Sequence, residues 1–263
     1  MDIIVCVTSV PDAASRIEID STGLGIKAAF PSILNPFDEI ALEEAVRLAE
    51  AHGGSVTVVH AGAEGGEEPL RKCLAQGADE AVYVKDPALL GADGLATARV
   101  LAKAIQTMPH DVILCGRAAT GAAAGSTGPY LAALLGIPII PSIRKLKILS
   151  NGRDAEAECE AQAGGLSVEC GLSAVFTATK GLAEPRYPSM QSIMKARKKA
   201  IRYLDLNALG IAPASLSTPG IKRERLSRRS NARSCVMLKG GVETQAKEAA
   251  RFLDEKIGAG GGR

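Results

Sequence analysis

The chain has 263 residues, 46% of them hydrophobic and 23% charged, enough to bury a substantial core as one large domain or a domain with an appendage. A net charge of +2, from 31 basic and 29 acidic residues, offers no global field for nucleic acid, and 3% aromatics with no Trp leave little for base stacking. No apolar run approaches the roughly 20 residues that span a bilayer, and Met1 to Val5 runs straight into a strand pattern, so a cytoplasmic protein without membrane insertion is expected.

Ile3 to Val7 is a continuous apolar run, the pattern of a strand buried on both faces. Thr8 to Asp12 reads as a loop, and residues 17–30 as a surface excursion or hairpin around Asp20-Ser21-Thr22-Gly23. Asn35-Pro36-Phe37-Asp38-Glu39 starts a helix: Asn35 can cap it, Pro36 suits its first position, and two acids favour the positive end of the dipole. The stripe Ala41, Leu42, Ala45, Leu48, Ala49 continues that helix to Gly53-Gly54. Strands are predicted at Ser55–His60, Ala81–Val84 and Asp111–Cys115, with helices at Pro69–Gln76, Asp93–Thr107 and Pro129–Leu135 between and after them. Ile137 to Ile140 leads into a fifth strand.

This alternation predicts an α/β fold, a doubly wound, mostly parallel, Rossmann-like sheet covered by helices. Beyond Ile143 the texture changes. Leu146–Leu149, Glu156–Gln162, Ser167–Cys170 and Ala174–Thr179 read as short antiparallel strands added to the sheet, with Asn151-Gly152 and Gly164-Gly165 as turns. The α/β domain is expected over residues 1–205. Residues 206–263 then form a C-terminal arm, rich in Pro, Gly, Ser and Arg, with an amphipathic helix at Glu243–Ile257; so little core of its own requires a partner surface.

The six cysteines (Cys6, Cys73, Cys115, Cys159, Cys170, Cys235) form no CxxC pair and read as buried free thiols, and His52, His60 and His110 lack metal-ligand spacing. The two commonest phosphate loops, GxGxxG after the first strand and GxxxxGK[ST], are absent. Gly116 to Gly128 instead offers a loop of small residues between a strand and a helix, at the carboxyl edge where open α/β sheets bind ligands. Small side chains let a phosphate approach the backbone, and Ser126 and Thr127 can donate at the helix N-terminus. The same loop reads equally as a tight turn packed on the sheet.

Glu184 to Lys199 opens as a two-proline loop and closes as a basic helix. Tyr187 and Met190 stand among charges, a pattern that suits a docking surface better than a core. A solvated basic face is the plainer reading of Arg186, Lys195, Arg197, Lys198 and Lys199; the paired prolines and the exposed Met190 favour docking.

Together these residues resemble the beta subunit of electron-transfer flavoprotein. The resemblance rests on Ile4-Val5-Cys6-Val7 with Val10-Pro11-Asp12, on Asn35 to Glu39 with Ala41, Glu43, Glu44 and Ala45, on Gly77-Ala78-Asp79, and on Cys115-Gly116-Arg117. Its most specific part is Leu182 to Pro188 with Ile193 to Lys199. The resemblance implies an electron carrier, not an enzyme by itself, paired with an alpha subunit. FAD is then shared with, and held mainly by, alpha, and flavin dehydrogenases pass electrons onward to a quinone-linked or other acceptor. It also implies a nucleotide site, holding AMP or a second FAD, at Cys6, Asn35, Pro36, Phe37, Asp38, Ala61, Gly116, Arg117, Thr120, Gly121, Ala123, Ala124, Gly125, Ser126 and Thr127. Dehydrogenase recognition would fall to Glu184, Pro185, Arg186, Tyr187, Pro188, Ser189, Met190, Gln191, Ile193 and Lys195, with Met190 where the family's apolar anchor, usually Leu, inserts.

The family's Asp-Thr pair and Gln are replaced here by Ala123, Ala124 and Ser126, and Thr8-Ser9 stands where a Lys-Gln or similar pair is usual. Backbone contacts to a phosphate survive these changes and side-chain contacts do not. AMP, a second FAD and an empty site all stay open. The alternative outside this family is a nucleotide-binding regulatory protein of the universal-stress type, complete by about residue 143, without electron transfer and with no use for the arm.

Overall fold

The opening apolar run forms β1 (Asp2–Cys6), fully enclosed from Ile3 onward, as a run without alternation must be. The computed structural model describes residues 1–12, 14–15, 18–26, 32–120, 124–161, 164–216, 220–221, 224–227 and 235–260. In chain order β1 is followed by β2 (Ser9–Pro11), β3 (Ser32–Leu34), α1 (Pro36–His52), β4 (Ser55–Gly62), α2 (Glu67–Gln76), β5 (Glu80–Lys85), α3 (Gly94–Ile105), β6 (Val112–Gly116) and α4 (Thr127–Leu135). Then come β7 (Ile139–Ile148), β8 (Asp154–Ala161), β9 (Gly164–Gly171), β10 (Ala174–Ala178), α5 (Met190–Lys198), β11 (Ile201–Leu204) and α6 (Val242–Gly260).

Nine strands form one sheet in the order β11-β5-β4-β1-β6-β10-β7-β8-β9. Every pair from β11 to β7 is parallel, and β7-β8-β9 is an antiparallel wing. One apolar core lies under α1 and α2, with Phe176, Leu42 and Leu70 among its fully buried side chains. The other lies under α3 and α4, around Ile4, Ile113, Ile105 and Leu131. A doubly wound sheet with added antiparallel strands is thus what the chain forms.

Three local expectations change. Ala174–Ala178 is no antiparallel add-on: it inserts between β6 and β7, parallel to both. Its five residues are all buried, which is the signature of a central parallel strand. Ile201–Leu204, not anticipated as a strand, pairs with β5 and closes that edge. Residues 206–216 belong to the α/β core, since Leu206, Leu209 and Leu216 are buried beside α3, and the compact unit runs to Arg225. The expected excursion at residues 17–30 carries an antiparallel bridge between Ile19 and Ile26, in keeping with a hairpin; Ile17 and residues 27–30 lie outside the described residues.

Residues 226–263 form the second unit. Its α6 extends through Gly258 to Gly260, past the expected end. Val242, Phe252 and Leu253 are exposed on it, and Arg251 pairs with Glu255 one turn on. No described helix is long and apolar enough to cross a membrane.

Candidate functional site

The sheet changes direction at β1 and β6. The helix after β1, α1, covers one face, and the helix after β6, α4, covers the other. Ligands of open α/β sheets bind in the crevice that such a reversal leaves at the carboxyl ends of the strands. A cavity of about 210 Å³ sits there. Its walls are the ends of β1 and β6 (Cys6, Val7, Thr8, Cys115, Gly116), the loop to α4, and the N-terminus of α3 (Asp93, Gly94, Thr97).

Asn35 and Asp38 hold the two loops together. The Asp38 carboxylate accepts from the Thr8 amide at 2.7 Å and the Gly116 amide at 2.8 Å. Asn35 does not cap α1 with its side chain, contrary to expectation. Its Nδ2 donates to the Ala118 carbonyl at 3.0 Å and its Oδ1 accepts from the Thr120 amide at 3.2 Å, so it ties down the opposite loop. Burial pushes the Asp38 carboxyl up to about 7, although the bonds from Thr8, Asn35 and Gly116 pull the other way. Gly116 is required by close approach: a Cβ there would lie 2.7 Å from Phe37 Cβ and 2.9 Å from the Asp38 amide nitrogen. The thiols Cys6 and Cys115 face each other across the β1–β6 register, and burial raises both, Cys115 to about 12, so they are inert floor rather than nucleophiles.

Of the residues expected around a nucleotide, Cys6, Asn35, Asp38, Ala61, Gly116, Arg117, Ala124, Gly125, Ser126 and Thr127 line this cavity. Pro36 and Phe37 form the first turn of α1 beside it, with the Arg117 guanidinium 5.6 Å from the Phe37 ring centre. Thr120 stands behind the wall on Asn35. Gly121 and Ala123 lie outside the described residues. The start of α3 also lines the cavity, and the sequence does not point to it. The carboxyl-edge rule applies to the loop after β5 as it does to the loop after β6, and there Asp93 caps α3 by accepting from the Ala96 amide at 2.8 Å. Ser126 precedes α4 without a side-chain cap, which leaves the first-turn amides of that helix free of that partner.

The second candidate surface starts at Glu184. Tyr187 is 98% exposed, Met190 75% and Met194 61%. These apolar side chains stand on a fixed base. Arg186 donates from Nε and Nη2 to Glu43 at 2.9 and 3.0 Å and from Nη1 to Glu50 at 2.7 Å. Gln76 Nε2 donates to the Arg186 carbonyl at 3.2 Å. Ser189 caps α5 by accepting from the Ser192 amide, Arg71 donates to the Ala196 carbonyl near the other end, and Lys199 Nζ reaches the Ala78 carbonyl at 2.9 Å. Of the expected docking residues, Glu184, Tyr187, Ser189, Met190, Gln191 and Lys195 are exposed, while Pro185 and Pro188 are half-buried. Ile193 packs against the core, and Arg186 turns inward onto α1. The thiols are all unpaired; Cys235 is exposed and Cys170 half-buried, so not all six are sequestered as expected.

Residues 24–209 match the family model for the electron transfer flavoprotein domain. The chain is 36% identical over 261 residues to an electron transfer flavoprotein subunit beta of Thermoanaerobacterium thermosaccharolyticum, covering 98% of each chain. It is 38% identical over 222 residues to the protein of that name from Bacillus subtilis, covering 84% of this chain and 85% of that one. It is also 32% identical over 216 residues to the protein FixA of Azotobacter vinelandii, covering 80% of this chain and 77% of that one.

Proposed function

The chain belongs to the electron transfer flavoprotein family as a beta-type subunit, and on that premise we propose how it carries electrons: paired with an alpha-type subunit, through an FAD held mainly by that partner. The universal-stress alternative is set aside, because the family match continues to residue 209, well past the point where such a domain ends. Bound FAD supplies the reversible electron transfer; this chain supplies docking and position.

Electrons enter from a flavin dehydrogenase that docks on Tyr187, Met190 and Met194. The observation that carries this assignment is the pairing of exposed apolar side chains at Tyr187 and Met190 with a base held by the Arg186–Glu43 and Lys199–Ala78 bonds. Exposed aromatic and Met side chains on a preorganised support are what binding hot spots require, because little ordering entropy is lost on contact. Residues 226–263 grip the alpha-type subunit, and the exposed Val242, Phe252 and Leu253 of α6 support that role.

The cavity between β1 and β6 holds a mononucleotide. Its small-residue wall, the uncapped start of α4 and the Arg117 guanidinium suit a phosphate. Its volume of about 210 Å³ is small, which favours a mononucleotide such as AMP over a dinucleotide such as a second FAD. Asn35 and Asp38 fix the walls, and Cys6, Val7, Ala61 and Leu101 provide an apolar end for a base. The protein works in the cytoplasm; six unpaired cysteines support a reducing compartment.

Coexpression with an alpha-type subunit tests the reading. A stable pair with a flavin spectrum is expected, and denaturation should release AMP beside FAD. A pair that forms without flavin, or no pair at all, refutes the carrier assignment. FAD without AMP removes only the cavity assignment.

A further inference from the structure

We propose that Arg117 is the residue by which the cavity selects a phosphate, and that a bound phosphate draws its guanidinium away from the Phe37 ring. This rests on the reading of the cavity as a mononucleotide site. Among the described residues, Arg117 is the one cationic side chain lining the cavity, against two carboxylates, Asp38 and Asp93. Both carboxylates are committed: Asp38 to the Thr8 and Gly116 amides, Asp93 to the Ala96 and Gly220 amides. Among the described residues neither forms an ion pair with Arg117, and the Arg117 guanidinium lies over the Phe37 ring at 5.6 Å.

Arg117 is also next to the phosphate end. Its backbone amide is fixed on the Ala178 carbonyl at 2.9 Å, and its own carbonyl lies 3.0 Å from where a Cβ on Gly125 would sit, just before Ser126 and α4. Arg117 is an exposed residue, with its guanidinium over a half-buried ring. The attraction of a solvated cation to a ring is weak, whereas a guanidinium–phosphate contact is charge-assisted and roughly twice as strong as a neutral hydrogen bond. With both available, the phosphate wins.

Phe37 is anchored at its base: its Cβ lies in the first turn of α1, 2.7 Å from where a Cβ on Gly116 would stand. Filling the cavity therefore uncovers the Phe37 ring at the protein surface. A nucleoside without phosphate fills the apolar end and leaves the ring covered.

The chain has no Trp, so Phe37→Trp in the full-length chain places a single Trp emitter at this ring. Calorimetry with AMP and with adenosine measures binding, and Trp emission measures the ring's cover. The expected result is a saturable red shift with AMP and none with adenosine. Arg117→Met in the same background should weaken AMP by about tenfold, the factor carried by one lost charge-assisted bond. It should leave adenosine unchanged and abolish the shift, and Arg117→Lys should restore part of the affinity. AMP that binds without a shift, or equally well to Arg117→Met, overturns the role of Arg117 and leaves the cavity reading standing. If calorimetry detects neither ligand, both readings fall together.

Discussion

Arg186 and Glu43 are 143 residues apart in sequence and meet in a two-pronged ion pair, Nε and Nη2 of the guanidinium on the two carboxylate oxygens at 2.9 and 3.0 Å. The Glu43 side chain is 6% exposed and that of Arg186 36%. The pair fastens the loop that begins at Glu184 to the middle of α1, and Glu50 takes the outer side of the same guanidinium. The hydrogen bonds to Glu50 and Glu43 hold Arg186 well above its usual range.

Glu43→Ala should therefore loosen the loop before it unfolds the protein. The half-exposed partner limits the loss to about 1–2 kcal/mol, below that of a fully buried broken pair. Urea unfolding measures the stability, and amide exchange over residues 184–189 should accelerate more than exchange in β1. Uniform acceleration across the chain would show that the pair serves the core and not the loop.

Stability should fall as pH rises from about 4.5 to 6.5 on account of Asp38 and Glu44, each raised to about 7 first by burial. The sign follows from proton binding. In that window the folded carboxyl keeps its proton and the unfolded one has lost it, so each raised group favours folding fully below its unfolded pKa, and that advantage is lost as pH rises towards 7. Each such group sets a slope of about 1.4 kcal/mol per pH unit. Asp38→Asn should flatten the measured slope by about one proton. An unchanged slope would mean that Asp38 stays ionised on its two amides.

Gly116→Ala should destabilise by about 1–3 kcal/mol, because the added methyl meets backbone that no rotamer change can move. Thermal unfolding of the full chain measures it. Gly181→Ala provides the reference: nothing lies within 4 Å of a Cβ there, so its loss comes from its φ of 99° alone. A Gly116→Ala protein as stable as the parent would contradict the tight joint between β6 and α1.

Met190→Ala should slow electron transfer from the cognate dehydrogenase at subsaturating partner while leaving the paired complex and its flavin intact. Truncating a central apolar anchor costs about 2 kcal/mol of docking, and stopped-flow reduction reads it directly. A rate equal to that of the unaltered protein would remove Met190 from the docking surface.

Much of this was legible in the residues. Runs such as Ile3–Val7 and Val112–Cys115 have one physical solution, a strand buried on both faces, and their alternation with helical stripes fixes the class of sheet. The carboxyl-edge rule then locates the cavity from Asn35 and Gly116 alone. What stayed hidden depends on distant partners. Asn35 looks like a cap because capping is local, while its bonds to Ala118 and Thr120 arise only once two loops are folded together. Arg186 looks like a solvated charge until α1 supplies Glu43. Ala174–Ala178 sits among hairpin signals, and only its unbroken burial marks it as central.

The claim on which the rest depends is that this chain carries electrons as half of a flavin-containing pair. The direct measurement is anaerobic stopped-flow of the coexpressed pair with a flavin dehydrogenase and that enzyme's substrate, followed at the flavin absorbance. Rapid bleaching that saturates with dehydrogenase concentration, and slows when Tyr187 and Met190 are both changed to Ala, is the predicted result. A pair that holds FAD but stays oxidised with every flavin dehydrogenase of its own host would contradict the account.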